Sequence, residues 1–155
     1  YGTESPPPFI AQFADVYVDT KTGRVDVLKF VSAVDCGQAI NPKLAEGQVE
    51  GATVNGINYA LWEEYKFDKN GRMTNANFTD YKVLTAADIP ELITIIVNSF
   101  EETGPFGAKS VAEIGINGPI PAIANSIYDA VGVRLFHSPF TPEKVLKEME
   151  EFASL

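Results

Sequence analysis

The sequence predicts an α+β domain on three observations: alternating apolar and polar residues near its start, long stretches of helical periodicity in its middle and at its end, and no strict strand–helix alternation. Phe13, Val16, Val18, Val25, Val27 and Phe30 mark two half-buried strands between Phe9 and Val34, and the intervening DTKTGR is a polar, glycine-containing turn. This pattern is a β-hairpin. Pro6-Pro7-Pro8 offers no N–H to a strand ladder, so residues 1–8 are expected to be an extended linker and residues 9–155 the domain.

Asn41 followed by Pro42 is an N-cap and first-turn signal, and it predicts a helix from about Pro42 to Leu61. That helix carries small residues at helical spacing: Gly47 with Gly51, and Ala52 with Gly56 and Ala60. Each interior glycine costs about 1 kcal/mol relative to alanine, so the set points to a close approach by a flat ligand or another backbone, or to tight packing on a neighbouring helix. Trp62 to Phe67, the turn DKNGR and the residues from Met73 onward read as a second hairpin. Asn77 to Leu92 is polar and mixed, hence loop, whereas ITIIVNSF, Ile93 to Phe100, is continuous and β-branched, hence a buried strand. Asn117 is placed to cap a helix opened by Pro119 and Pro121, with Ile123, Ala124, Ile127 and Val131 on one face and Gly132 as its stop. A last helix from Thr141-Pro142-Glu143 is expected to bury Val145, Leu146, Met149 and Phe152.

Composition narrows the function. At 155 residues, 45% of them hydrophobic, the chain can bury one core. Its net charge of −9 argues against binding nucleic acid or an anionic membrane. No apolar run reaches the roughly 20 residues needed to span a bilayer, and YGTESPPP has no export-signal character. A single cysteine, Cys36, fits a reducing compartment, so a soluble cytoplasmic location is expected; a first residue other than Met suggests a piece of a longer protein. With Cys36 and His137 as the only soft ligands, the chain alone cannot hold an iron–sulfur cluster, a doubly ligated haem or a standard zinc site.

Four features invite chemistry. Glu113 stands among Val111, Ala112, Ile114 and Ile116; a carboxylate poor in hydration suits a proton acceptor, while the plain alternatives are a helix cap or a solvated side chain. GPFGAKSVAE presents successive backbone N–H groups beside glycines, with Lys109 to add charge, and so could cradle an anion or a heterocycle edge; Gly107-Ala108-Lys109-Ser110 misses the spacing of a nucleotide phosphate loop. Gln48 offers both a donor and an acceptor from the small-residue helix, or is simply exposed. Cys36 reads as a buried structural thiol, His137 as a surface residue, and Glu148, Glu150 and Glu151 as a solvated helix face.

DCGQAINPKLAEGQVEGATVNGINYALWEEY, DYKVLTAADIP, KSVAE, PAIANSIYDAVGVR and PFTPEKVL, in that order, resemble the carboxy-terminal part of the large subunit of molybdenum hydroxylases, the xanthine dehydrogenase and aldehyde oxidase family. The resemblance covers about Phe9 to Leu146. It implies a molybdopterin-type molybdenum cofactor, with its nucleotide form left open, and a hydroxylation of a purine, related N-heterocycle or aldehyde that takes its oxygen from water. It implies that Glu113 is the general base beside the molybdenum, that Lys109, Ser110, Val111 and Ala112 lie against the pterin, and that Gln48 contacts the pterin. It further implies partners: the remaining large-subunit domains, and iron–sulfur clusters and FAD carried only on other domains or subunits. Ala112 departs from the glycine usual before the catalytic glutamate, and Asn55 from a common glutamine. A non-catalytic module that docks on other subunits is the alternative reading, and the chain alone is expected not to turn over substrate.

Overall fold

The computed structural model describes residues 6–154; residues 1–5 of the expected linker lie outside them, and residues 6–8 carry no regular structure. Strand β1 (Phe9–Val18) pairs antiparallel with β2 (Val25–Asp35), as the alternation in the sequence predicts. The register shifts between Asp15 and Val16, a bulge that adds local twist. Gly23 in the turn has φ +73°, and a Cβ there would lie 2.1 Å from the carbonyl oxygen of Pro142, so the turn fits only glycine against the last helix.

Strand β3 (Glu91–Ile96) joins β2 in parallel and completes a mixed sheet of order β1-β2-β3. The expected buried strand from Ile93 to Phe100 is therefore corrected in two ways. It begins at Glu91 and ends at Ile96, opposite Val34, with a last bond from the Val97 N–H to the Val34 carbonyl at 2.8 Å, and it lies at the sheet edge, where Ile95 and Val97 remain exposed. The second hairpin is also corrected: a single bridge joins Phe67 to Met73. Backbone bonds from the Asp68 N–H to the Arg72 carbonyl at 2.9 Å and from the Thr74 N–H to the Lys66 carbonyl at 2.7 Å flank it, and past these the Asn75 side chain takes over, accepting from the Lys66 N–H at 3.0 Å and donating to the Glu64 carbonyl at 2.7 Å.

Helix α1 (Pro42–Leu61) runs over the predicted range, and Asn41 caps it by accepting the Leu44 N–H at 3.1 Å. A short helix α2 (Ile114–Asn117) leads into α3 (Pro119–Val131), so the residue at the N-cap of α3 is Gly118 and not Asn117, which closes α2. Gly132 ends α3 in the left-handed conformation. Helix α4 (Pro142–Ala153) buries Val145; Leu146 and Met149 are half-buried and Phe152 is exposed, so its core contact is narrower than expected.

Helices α1 and α3 cover one face of the sheet, and Phe30, Ile57, Ile123, Ile127 and Val145 fill the space between. The other face, with Phe9, Phe13 and Tyr17 of β1 and Ile95 of β3, is exposed. Gly56 explains one of the helix glycines: a Cβ there would stand 2.5 Å from Pro119 Cγ and 2.9 Å from the Ile116 carbonyl, so tight helix packing requires it. Gly47 and Gly51 are different, since a Cβ at either would meet nothing within 4 Å. No helix among the described residues is long and apolar enough to cross a membrane, and no group of three or more His, Cys, Asp or Glu among them is arranged to hold a metal ion.

Candidate functional site

The segment from Pro105 to Glu113 leaves β3 by a short 3-10 turn, Pro105–Gly107. It then returns to the end of β2, where Gly37 and Ala108 form an antiparallel bridge. The Gln38 N–H donates to the Gly107 carbonyl at 2.6 Å and the Lys109 N–H to the Cys36 carbonyl at 2.7 Å. Gly37, at φ +67°, permits this approach, because a Cβ there would lie 2.3 Å from the Gly107 oxygen. Phe106 turns the chain at φ 55°, a conformation uncommon for a residue with a side chain, and the residue is 87% exposed.

One ion pair closes this corner. Lys109 Nζ lies 2.6 Å from Asp35 Oδ2, with the lysine side chain only 7% exposed, and Ser99 Oγ donates to Asp35 Oδ1 at 2.5 Å. The Gly37 N–H also donates to Asp35 Oδ1, at 3.0 Å, and the ammonium sits 5.0 Å from the centre of the Phe9 ring. The Lys109 ammonium, followed by the Ser99 hydroxyl and the Gly37 N–H, holds the Asp35 carboxyl below its ordinary 3.8, at about 2. Burial pushes the neighbouring Cys36 thiol up, which fits a structural rather than a reactive cysteine.

Beyond Lys109 the backbone is open. Among the described residues, the N–H groups of Ser110, Val111, Ala112 and Glu113 find no acceptor, and Ser110, Ala112 and Glu113 are exposed. These are four consecutive backbone donors left free by the described residues. Helix α2 then docks on α1: a Cβ at Gly115 would lie 2.9 Å from Ala52 Cβ and 3.2 Å from the Val49 carbonyl oxygen. Gln12 of β1 fixes the same point, donating from Nε2 to the Gly115 carbonyl at 3.0 Å and to Ser32 Oγ at 2.9 Å.

Gln48, Lys109 and Val111 come together on one cleft of about 240 Å³, whose apolar wall includes Ile40, Leu44 and Ala45. Gln48 itself is exposed, one position before Val49, which touches α2. Ser110, Ala112 and Glu113 lie on the same loop without lining that cleft. The apolar enclosure expected around Glu113 is corrected: Ile114 is only half-buried, and the glutamate is exposed at the head of α2. Asp35, Ser99 and Gln12 escape sequence reasoning because their partners lie 74, 64 and 103 residues away. His137 is exposed, as expected.

The cleft suits a flat organic ligand. Its lining combines an apolar wall, the unengaged Gln48 amide and Val111 with its free N–H, while the donors of Ser110, Ala112 and Glu113 lie on the same loop outside the lining and Gly47 and Gly51 leave the α1 surface beside Gln48 bare. Residues 2–90 match the model of the molybdopterin cofactor-binding domain. The "Probable hypoxanthine oxidase XdhD" of Escherichia coli K12 is 43% identical over 145 residues, 93% of this chain and 15% of that protein. The "Xanthine dehydrogenase molybdenum-binding subunit" of Escherichia coli O157:H7 is 37% identical over 94% of this chain and 20% of its own length. Among solved structures, the aldehyde oxidoreductase of Desulfovibrio gigas superposes with a TM-score of 0.85 at 33% identity, over 92% of this chain and 15% of that one. The chain thus spans a fifth or less of each of these three relatives.

Proposed function

Because this chain belongs to the molybdopterin cofactor-binding domain family, we propose that its cleft is one wall of the pterin site of a molybdenum-dependent hydroxylase or dehydrogenase, with Glu113 as the general base. The observation that carries the proposal is the meeting of Gln48 with Lys109 and Val111 on a single apolar cleft, next to the free donors of Ser110 to Glu113. When bound, the molybdenum cofactor supplies the redox-active centre that takes up the electrons removed from substrate.

The residues of this chain divide the remaining work. The Gln48 amide offers a donor and an acceptor to the edge of a pterin, and Ile40, Leu44 and Val111 exclude water along its face. The N–H groups of Ser110, Val111 and Ala112 donate to ligand oxygens, while the Lys109 ammonium is already committed to Asp35 and contributes through its backbone and stem. Glu113 Oε accepts a proton from the water that supplies oxygen to a purine, related N-heterocycle or aldehyde, and returns it to solvent after turnover. Since this chain leaves Glu113 exposed, the enclosure of the carboxylate comes from the cofactor and from companion polypeptide. The exposed apolar face with Phe9, Phe13 and Ile95 supports such a companion: the remaining large-subunit domains, with iron–sulfur and flavin groups on other domains or subunits. The lone free thiol of Cys36 supports a cytoplasmic setting.

The test is Glu113→Gln in the holoenzyme. Loss of a general base lowers kcat by about a hundredfold or more, with molybdenum content unchanged. Turnover within a few-fold of wild type at full molybdenum occupancy transfers the chain to the alternative of a non-catalytic docking module.

A further inference from the structure

We propose that Asp35 is the positioning residue of the Glu113 loop: through Lys109 it anchors one side of the segment that Gln12 anchors on the other, so that Glu113 hangs between two fixed points. The inference rests on the assignment of Glu113 as base for its catalytic consequence, and on geometry alone for the tether.

The anchors are unequal in kind. On the N-terminal side, Asp35 uses both oxygens: Oδ2 receives the Lys109 ammonium at 2.6 Å, and Oδ1 receives Ser99 Oγ and the Gly37 N–H. It thereby joins the end of β2, the exit from β3 and the loop at one atom group. The Lys109 N–H adds its bond to the Cys36 carbonyl. On the C-terminal side, Gln12 Nε2 holds the Gly115 carbonyl while α2 rests on Val49 and Ala52. Between these points, Ser110 to Glu113 make no backbone donation to any described residue, and the one backbone bond they take part in is the Ile116 N–H to the Glu113 carbonyl at 3.2 Å, within the head of α2. A surface lysine would not do this work. Lys109 is 7% exposed, and an ammonium so buried without its carboxylate is strongly unfavourable, which fixes the pair as a unit.

The same geometry gives Lys109 a role distinct from charge donation to a ligand. Its ammonium turns away from the cradle into Asp35, so the loop presents backbone donors, and Asp35 determines where they point.

Hydrogen exchange of the holoenzyme carrying Asp35→Asn, Lys109→Met, Lys109→Arg or the Asp35→Asn/Lys109→Met pair tests the tether. The hydrogen-bonded amides of Gln38, Gly107, Ala108 and Lys109 are expected to exchange about tenfold faster or more in both single variants, while those of α3, from Ile123 to Val131, keep their protection. The double variant is expected to match the worse single one, because both changes break one connection. Lys109→Arg, which keeps the charge, restores protection in part, as a mere filling of space would not. In turnover, kcat falls about tenfold or more with a smaller change in KM. Unchanged exchange in Lys109→Met, or additive effects in the double variant, overturns the proposal; if Asp35→Asn does not fold, the two Lys109 variants decide. Glu113→Gln leaves both anchors intact, so normal turnover in that variant removes the base assignment while the exchange result still judges the tether.

Discussion

Two alanine substitutions on the same helix are expected to act in opposite directions. At Gly51 the added methyl group meets nothing within 4 Å, so the chain gains the helix propensity of alanine, about 1 kcal/mol. At Gly56 the same group would sit 2.5 Å from Pro119 Cγ and 2.9 Å from the Ile116 carbonyl oxygen. Ordinary carbon contacts lie near 3.5–4.0 Å, so the junction of α1 with α2 and α3 must open by about 1 Å. Neither a proline ring nor a backbone carbonyl can rotate aside. Overpacking of this kind costs about 2–3 kcal/mol, and after the propensity gain Gly56→Ala is destabilising by about 1–2 kcal/mol. The two variants should therefore differ by about 2–3 kcal/mol in urea unfolding followed by the fluorescence of Trp62, the only tryptophan. Equal stabilisation by both, within about 0.5 kcal/mol, refutes the packing argument. In the holoenzyme, Gly51→Ala is expected to lower molybdenum content despite its greater stability, because its methyl group occupies the space the cofactor reading reserves along α1.

Asp35 gives a pH dependence with a definite sign. Its folded value, about 2, lies below the unfolded one, so its stabilisation is fully present above about pH 4–5 and is lost as pH falls through the folded value. Allowing for the partial exposure of the carboxylate, about 1–2 kcal/mol should disappear between pH 5 and pH 2 in acid titrations of stability, and Asp35→Asn should flatten that slope. Asn41→Ala removes the cap on the Leu44 N–H and is expected to cost about 1 kcal/mol in the same unfolding assay. Gly23→Ala strains a left-handed turn and drives a methyl group into the Pro142 carbonyl; a drop of about 2 kcal/mol or more is expected, and an unchanged midpoint would show that the turn can move away from α4.

Legibility in the sequence followed the range of the interactions. The β1–β2 hairpin, the start of α1 at Asn41-Pro42 and the stop of α3 at Gly132 are set by residues within a turn of one another, and each is found where the pattern places it. The expected second hairpin is found only around its turn: backbone bonds pair Asp68 with Arg72 and Thr74 with Lys66, and past them the Asn75 side chain, not a second strand, satisfies the Lys66 N–H and the Glu64 carbonyl. Glu113 shows the same limit at the site. Its apolar neighbours in sequence do not bury it: Ala112 is exposed, Val111, Ile114 and Ile116 are half-buried, and Gly115, not Glu113, is the buried member of the segment. The cleft residues Gln48, Lys109 and Val111 were within reach of motif reading, whereas Asp35 and Gln12, which hold the loop in place, act across the fold and leave no local periodicity to detect.

The central claim is that the cleft between the N-terminal half of α1 and the Lys109–Glu113 loop receives the molybdopterin. The most direct measurement is an experimental structure of the cofactor-loaded holoenzyme. The account predicts pterin or phosphate oxygens about 2.7–3.2 Å from the N–H groups of the loop, the Gln48 amide against the ring system, and a Glu113 carboxylate withdrawn from bulk water. A cofactor seated away from both Gln48 and the loop, with Glu113 still facing solvent, would contradict it.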